Sequence, residues 1–373
     1  MITRRRFLQA SALLAGSRLL GCHANEGSSG ERVDMNLTMP DESALHLCTW
    51  MAFGAHERIW GRRLLPEVQR NLAAIARTIA RFEPVRMLAR PDEIKLARQL
   101  IGKGTRYPVE LIPAPLDDLW IRDTGPLFVS DQQGKQHALD FNFNGWGNKQ
   151  PHKQDAKVAR KVAQLAGVEA LAADLVLEGG CIELDGQGTA IITESCVLND
   201  NRNPGVSKAE FEDSLMPLLG LHKIIWLPGL RGMDITDGHT DFYARFARPG
   251  VVFAGYEPDA QSPDHEITLI HLDMLRSETD AKGKPLKVIT LEAPTQIRKK
   301  WLNNDFAAGY IGFYICNSAV IVQTFGDERT DGEAQSKLAE VFPDREIVPM
   351  AIDGIAAGGG SVHCATQQQP LAI

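Results

Sequence analysis

From about residue 45 to residue 373, short apolar runs alternate with amphipathic stretches, and no Pro- or Gly-rich linker interrupts them. This alternation constrains the fold more than any other feature, because strands that alternate with helices call for α/β units. Apolar residues at helical spacing predict helices over 60–82, 153–166, 207–219, 263–278 and 330–341. The first carries Leu64, Leu65, Val68, Leu72, Ile75 and Ile79 on one face. Strand-like runs lie at 85–88, 109–112, 190–193, 223–227, 251–254, 319–323 and 346–349. After the first helix, starts recur at 153, 207, 263 and 330, a rough structural period without repetition of residue identity. Length alone would allow two domains. The missing linker instead predicts one α/β domain over residues 32–373.

The first 31 residues read as an address rather than as fold. Thr3-Arg4-Arg5-Arg6-Phe7-Leu8 precedes an apolar run over 10–20 that is too short to span a bilayer. Charge, apolar length and a small-residue exit follow in the order of a twin-arginine export signal. Leu19-Leu20-Gly21-Cys22 also has the form of a lipoprotein processing site, which makes Cys22 a candidate lipid anchor, and the polar stretch 24–31 suits a tether. These features predict recognition by export machinery and a periplasmic location, membrane-anchored if Cys22 is lipidated. The plainer alternative is a basic N-terminal helix with a buried cysteine.

Charge bears on the partner. Forty Lys and Arg against forty-seven Asp and Glu give a net charge of -7, with no long basic run beyond the N-terminus. Nucleic acid is therefore not expected, and a small cationic ligand is favoured. None of the six cysteines forms a Cys-x-x-Cys pair, which argues against a zinc ribbon or a thioredoxin-type site.

Five segments place reactive residues beside glycines. Gly358-Gly359-Gly360-Ser361-Val362-His363-Cys364 is the first, followed by the polar run Thr366-Gln367-Gln368. Glycines let backbone approach a ligand closely, and such a turn suits an accessible thiolate. Taken alone, Cys364 would more often be an inert buried thiol. In Asp237-Gly238-His239-Thr240-Asp241, two residues two apart share a face when the chain is extended. His239 would serve as a proton shuttle and Asp241 as fixed charge, or the pair would simply close a turn. The same His-x-Asp could ligate a metal, but no close His, Cys or carboxylate cluster in the sequence supports that. Asp117-Asp118-Leu119-Trp120-Ile121-Arg122-Asp123-Thr124-Gly125-Pro126 combines carboxylates with an aromatic plane, the pairing a guanidinium site would use. It also reads as a charged surface loop. Leu177-Glu178-Gly179-Gly180 puts an acid at the end of an apolar run, and Phe141-Asn142-Phe143-Asn144-Gly145-Trp146-Gly147 is an aromatic-rich loop.

Together with Trp50-Met51-Ala52, these segments resemble, in order and spacing, the agmatine deiminase and bacterial peptidylarginine deiminase family over roughly residues 45–370. The resemblance implies the pentein fold, a five-bladed α/β propeller. It implies Cys364 as nucleophile, His239 as general acid and base, Asp123 and Asp241 as the carboxylates that hold a guanidinium, and Glu178 as the buried acid that orients the histidine. It adds Trp50, Trp120, Trp146 and Gly359 as substrate-binding positions, and it calls for no metal or other cofactor. Three departures stand out. Gly312-Phe313-Tyr314 replaces the family's Asn-Phe-Tyr, Phe53-Gly54 replaces its Trp-Pro, and Phe242-Tyr243 follows Asp241. Gly145 and Gly147 stand near positions where peptidylarginine enzymes place carboxylate-gripping arginines, which favours a substrate without a carboxylate. The activity so implied is hydrolysis of agmatine to N-carbamoylputrescine and ammonia. Alternatives are peptidylarginine deimination to citrulline, guanidine binding without turnover, and a metal-dependent ureohydrolase.

Overall fold

The structure, a computed structural model, describes residues 36–372. The expected signal, with Arg4, Arg5 and Cys22, lies outside the described residues. Among those described, no helix is long and apolar enough to cross a membrane.

The chain repeats one topological unit: an antiparallel strand pair, a crossover helix, and a third strand parallel to the second. β4 (Leu127–Ser130), β5 (Gln136–Asp140) and β6 (Glu169–Ala172) form one such sheet; β7 (Ile182–Leu184), β8 (Thr189–Thr193) and β9 (Lys223–Leu227) form the next. β10 (Ala244–Arg248), β11 (Val251–Tyr256) and β12 (Lys287–Glu292) follow, then β13 (Tyr314–Cys316), β14 (Ala319–Gln323) and β15 (Glu346–Met350). The remaining sheet is assembled from both ends of the described chain. β1 (His46–Phe53) runs parallel to β2 (Val85–Ala89), which pairs with β3 (Val109–Pro113); β16 (Gln367–Pro370) supplies the antiparallel neighbour of β1. Thr49 lies opposite Gln368 on one side and Val85 on the other.

The crossover helices are Glu57–Ile79, Val158–Ala166, Lys208–Leu219, Asp264–Ser277 and Glu328–Val341, so all five expected helices form. Local chemistry sets their ends. Ser207 and Glu210 make a capping box at the start of Lys208–Leu219, and Gly220, with φ 68°, ends it in the left-handed region. The first helix begins at Glu57 rather than 60, because His56 caps it by accepting from the Arg58 N–H. Middle strands such as β8 and β14 are buried along their whole length, which is why they read as unbroken apolar runs.

The first strands of neighbouring units pack on one another, β7 on β10 and β4 on β16. Each is preceded by a short lead-in turn: Ile121–Thr124 before β4, Gly179–Cys181 before β7, Thr240–Phe242 before β10, His363–Ala365 before β16. These turns also meet, Ile121–Thr124 touching both His363–Ala365 and Gly179–Cys181, and Gly179–Cys181 touching Thr240–Phe242. Repetition of the unit thus delivers the same kind of loop to one place several times. The candidate site is built there.

Candidate active site

Asp123, Glu178, His239, Asp241 and Cys364 lie in or beside those lead-in turns, and all five are buried. The Cys364 Sγ is 3.7 Å from Asp241 Oδ2 and 3.3 Å from the Ser361 hydroxyl. Burial pushes the Cys364 thiol well above its usual range, and the Asp241 and Asp123 carboxylates push it further, with the Ser361 hydroxyl opposing them.

His239 is held between two acids, its Nδ1 3.7 Å from Asp123 Oδ1 and its Nε2 3.3 Å from Glu178 Oε2. Burial disfavours the charged imidazole, but Asp123, Cys196 and Glu178 outweigh it and raise the pKa well above the usual value. Glu178 is fixed on its other oxygen by Arg202 Nε at 2.9 Å, and Arg202 Nη1 reaches Asp237 Oδ2 at 2.6 Å.

Asp123 accepts from the Trp146 indole N–H at 3.0 Å and from the Gly180 N–H at 3.2 Å. Burial raises its pKa to about 6, against the pull of His239. Asp241 behaves oppositely. Burial would raise its pKa too, but His363 Nδ1 at 2.7 Å from Oδ2 brings it below the usual carboxylate range. Its Oδ1 is buried without a hydrogen-bond partner, although polar groups in protein interiors are normally paired. Among the described residues, the ion-pair neighbours of these two carboxylates are histidines, not Lys or Arg.

Glycines bring the groups this close. A Cβ on Gly180 would lie 2.5 Å from His239 Nδ1 and 3.0 Å from Asp123 Oδ1. Gly358 and Gly360 pack against Trp60 and Trp120, where a Cβ would come within 2.1 Å of either ring. The two indoles tilt together with centroids 5.7 Å apart, beside the Cys364 turn.

The residues 38–370 match the family model of the Porphyromonas-type peptidyl-arginine deiminases. The chain belongs to that family. An agmatine deiminase of Stutzerimonas stutzeri is 37% identical over 356 residues, covering 89% of this chain and 95% of the relative. One from Pseudomonas aeruginosa is 37% identical over 354 residues, with the same shares of 89% and 95%. The solved agmatine deiminase of Enterococcus faecalis superposes with a TM-score of 0.82 at 31% identity, covering 91% of this chain and 97% of that one. An agmatine deiminase of C. jejuni with substrate bound gives 0.79 at 25% identity, covering 89% and 96%. Membership makes the chain an enzyme of guanidino C–N bonds with the pentein fold, and the five repeated sheets agree with it.

In this deiminase-family member Asp123, Glu178, His239, Asp241 and Cys364 come together, with Trp146 on Asp123 and Trp120 against Trp60 beside them, while one expected position lies elsewhere. Trp50 is not part of the site. This side chain is fully buried in the core between β1 and its neighbours, donates to Gln369 Oε1 at 3.0 Å and lies under the Arg86 guanidinium. Strand alternation sends Trp50 to the face away from Met51 and Phe53, which do pack toward the Cys364 cluster. Gly359 adopts φ 89°, and a Cβ there would meet nothing nearer than the Asp305 carbonyl at 3.4 Å, so the space beside its backbone is open. The close approach belongs to Gly358 and Gly360. The deiminase's replacement of Asn by Gly312 has a steric partner, since a Cβ at 312 would collide with the Ser361 side chain at 2.2 Å. At Gly145 and Gly147 a Cβ would clash with His152 and Asn201, and both have positive φ, so neither position has room for an arginine.

Sequence reasoning missed His363, Gly180, Arg202 and Glu42. His363 bridges Asp241 and Glu42, with Nε2 2.9 Å from Glu42 Oε2, and Glu42 in turn meets Arg122 and Arg245. Its place next to Cys364 was the one available signal.

Proposed function

We propose that this enzyme hydrolyses agmatine to N-carbamoylputrescine and ammonia through a covalent adduct on Cys364. The observation that carries the reading is the pair Asp123 and Asp241 beside the buried thiol, with Asp241 Oδ1 left unpartnered. A guanidinium offers planar N–H forks that satisfy carboxylates bidentately, and neither carboxylate has a Lys or Arg ion-pair partner among the described residues. The relatives named agmatine deiminases support the same substrate.

Binding also prepares the nucleophile. The carboxylates raise the thiol's pKa, so a cation between them removes part of the cause and favours the thiolate. The thiolate adds to the guanidinium carbon and gives a tetrahedral adduct. His239, kept protonated by its acids, gives its proton to the departing nitrogen, which leaves as ammonia. The neutral imidazole then takes a proton from water, whose oxygen attacks the thiouronium carbon; this second adduct expels the Cys364 thiolate, and its hydroxyl gives its remaining proton to solvent as the carbamoyl group forms. No arginine fits at Gly145 or Gly147 to grip a carboxylate, which favours agmatine over an arginine substrate. Ammonia release from agmatine, and little from peptidyl-arginine, is the expected result of a parallel assay. Turnover of peptidyl-arginine alone would overturn the substrate assignment, and binding of agmatine without ammonia would overturn the chemistry.

A further inference from the structure

Deimination as derived above uses neither of the two thiols behind the site, Cys181 and Cys196, in a bond-making step. Cys196 sits in the short helix Glu194–Val197 that follows β8, fully buried, with its Sγ 3.5 Å from Glu178 Oε2. It lies on the Nε2 side of His239, because Glu178 Oε2 is also 3.3 Å from that nitrogen. A sulfur, an imidazole nitrogen and a carboxylate oxygen therefore converge, all within 4.8 Å of one another.

Those separations have a meaning for metal chemistry. Zinc bonds of about 2.3 Å to sulfur, about 2.0 Å to nitrogen and about 2.1 Å to oxygen imply tetrahedral edges of roughly 3.4 Å from nitrogen to oxygen and roughly 3.6 Å from sulfur to oxygen. The observed 3.3 and 3.5 Å already match them. The surroundings suit a ligand set as well. Arg202 anchors the other oxygen of Glu178, and Asp123 faces the other nitrogen of His239, the carboxylate–histidine arrangement that orients metal-bound imidazoles. Asp123, Asp241 and Asp237 add negative charge around the site, against Arg202 and Lys149.

We propose that Glu178, Cys196 and His239 form an inhibitory site for a thiophilic divalent ion, zinc in the first place, directly behind the proton shuttle. The ion bonds to Cys196 Sγ, His239 Nε2 and Glu178 Oε2. The thiol proton of Cys196 and the Nε2 proton of the imidazolium pass to solvent, so zinc binds more weakly as pH falls. The metallated imidazole keeps its Nδ1 proton but has lost the imidazolium charge that made it an acid, and with Nε2 on the metal it has no free nitrogen to accept a proton from water. Inhibition in this form rests on the assignment of His239 as shuttle, whereas binding does not.

The test uses zinc and cobalt ions alone on the whole enzyme. Zinc is expected to stop ammonia release, and a chelator to restore it. Cys196→Ser keeps the hydrogen bond to Glu178 but not the thiolate, so, scored against its own zinc-free rate, it is expected to need about 100-fold more zinc for the same fractional inhibition. Cys196→Ala serves if the serine variant does not fold. Cobalt reports binding independently through its thiolate charge-transfer absorption, which should appear in Cys364→Ala and vanish in Cys196→Ser. Absorption that vanishes in Cys364→Ala would place the metal on the nucleophile, and absorption that survives in Cys196→Ser would place it on another thiol such as Cys181; either sinks the proposal. The same holds if no absorption appears in either. Absorption that depends on Cys196 without loss of activity would keep the site and overturn His239's role instead.

Discussion

Asp123 and Asp241 neighbour the same histidine and the same thiol, yet the protein prepares them in opposite ways. Around Asp123 the partners are neutral donors, the Trp146 indole and the Gly180 N–H, with His239 at 3.7 Å. Burial wins there, and the carboxyl titrates at about 6. Behind Asp241 stands His363, backed by Glu42, Arg122 and Arg245, and this carboxyl lies below the usual range. The contrast teaches that donors which satisfy geometry do not by themselves offset the desolvation of a charge, whereas a polar relay ending in guanidinium groups does. One carboxylate is charged in advance; the other becomes reliably charged when a cation arrives.

Removal of the shared thiol gives the largest effect. Cys364→Ala should lose essentially all turnover while agmatine still binds, since both carboxylates remain, and calorimetry on the folded variant measures that binding. Activity above background in this variant would end the nucleophile assignment. His239→Asn should lower the rate by roughly 10²–10⁴. In the Cys364→Ala background it should leave agmatine affinity nearly intact, which separates proton transfer from holding.

The carboxylates themselves come next. Asp123→Asn and Asp241→Asn, each in the Cys364→Ala background, should weaken agmatine binding by about 10- to 100-fold, the equivalent of about 1.5–3 kcal/mol for a hydrogen bond to a charged group. They should differ in pH dependence. Asp123 gains a proton as pH falls through about 6, so affinity for a cation should drop there in the parent and stay flat in Asp123→Asn. Asp241, already lowered, should contribute no step in that range. A step near 6 that persists in Asp123→Asn would reverse the comparison. The smallest effect is expected from His363→Asn, a several-fold loss of affinity at neutral pH, growing as the solution is acidified, because Asp241 loses its partner and its pKa rises. Titration curves of agmatine affinity against pH would show the added acid limb.

Much of this was legible in the sequence, for identifiable reasons. Three of the five crossover helices carry a side-chain N-cap, at His56, Ser207 and Asp327, and buried strands such as β8 and β14 leave apolar runs. β6 did not, because Glu169-Ala170-Leu171-Ala172 is largely exposed and lacks alternation. β16 could not, since three glutamines and a proline read as loop, although all four residues are buried. The five reactive residues were visible as motifs, but the roles of Gly180 and His363 depend on turns from different units meeting in space. Trp50 misled for the reverse reason: a tryptophan near the motifs in order faces the other side of its strand. The grouping of Cys196 with Glu178 and His239 left no trace in spacing, as these residues are far apart in the chain.

The seam between β1 and β16 bears on how errors in the protein are tolerated. The thiol sits just ahead of the strand that completes the first sheet, so a chain cut anywhere before residue 364 lacks both the nucleophile and the partner of β1. Such a fragment exposes the unpaired edge of β1, a template for association with other chains. Catalytic competence and the protection of that edge therefore arrive in the same step, and a shortened product is a candidate for clearance rather than a weakened catalyst.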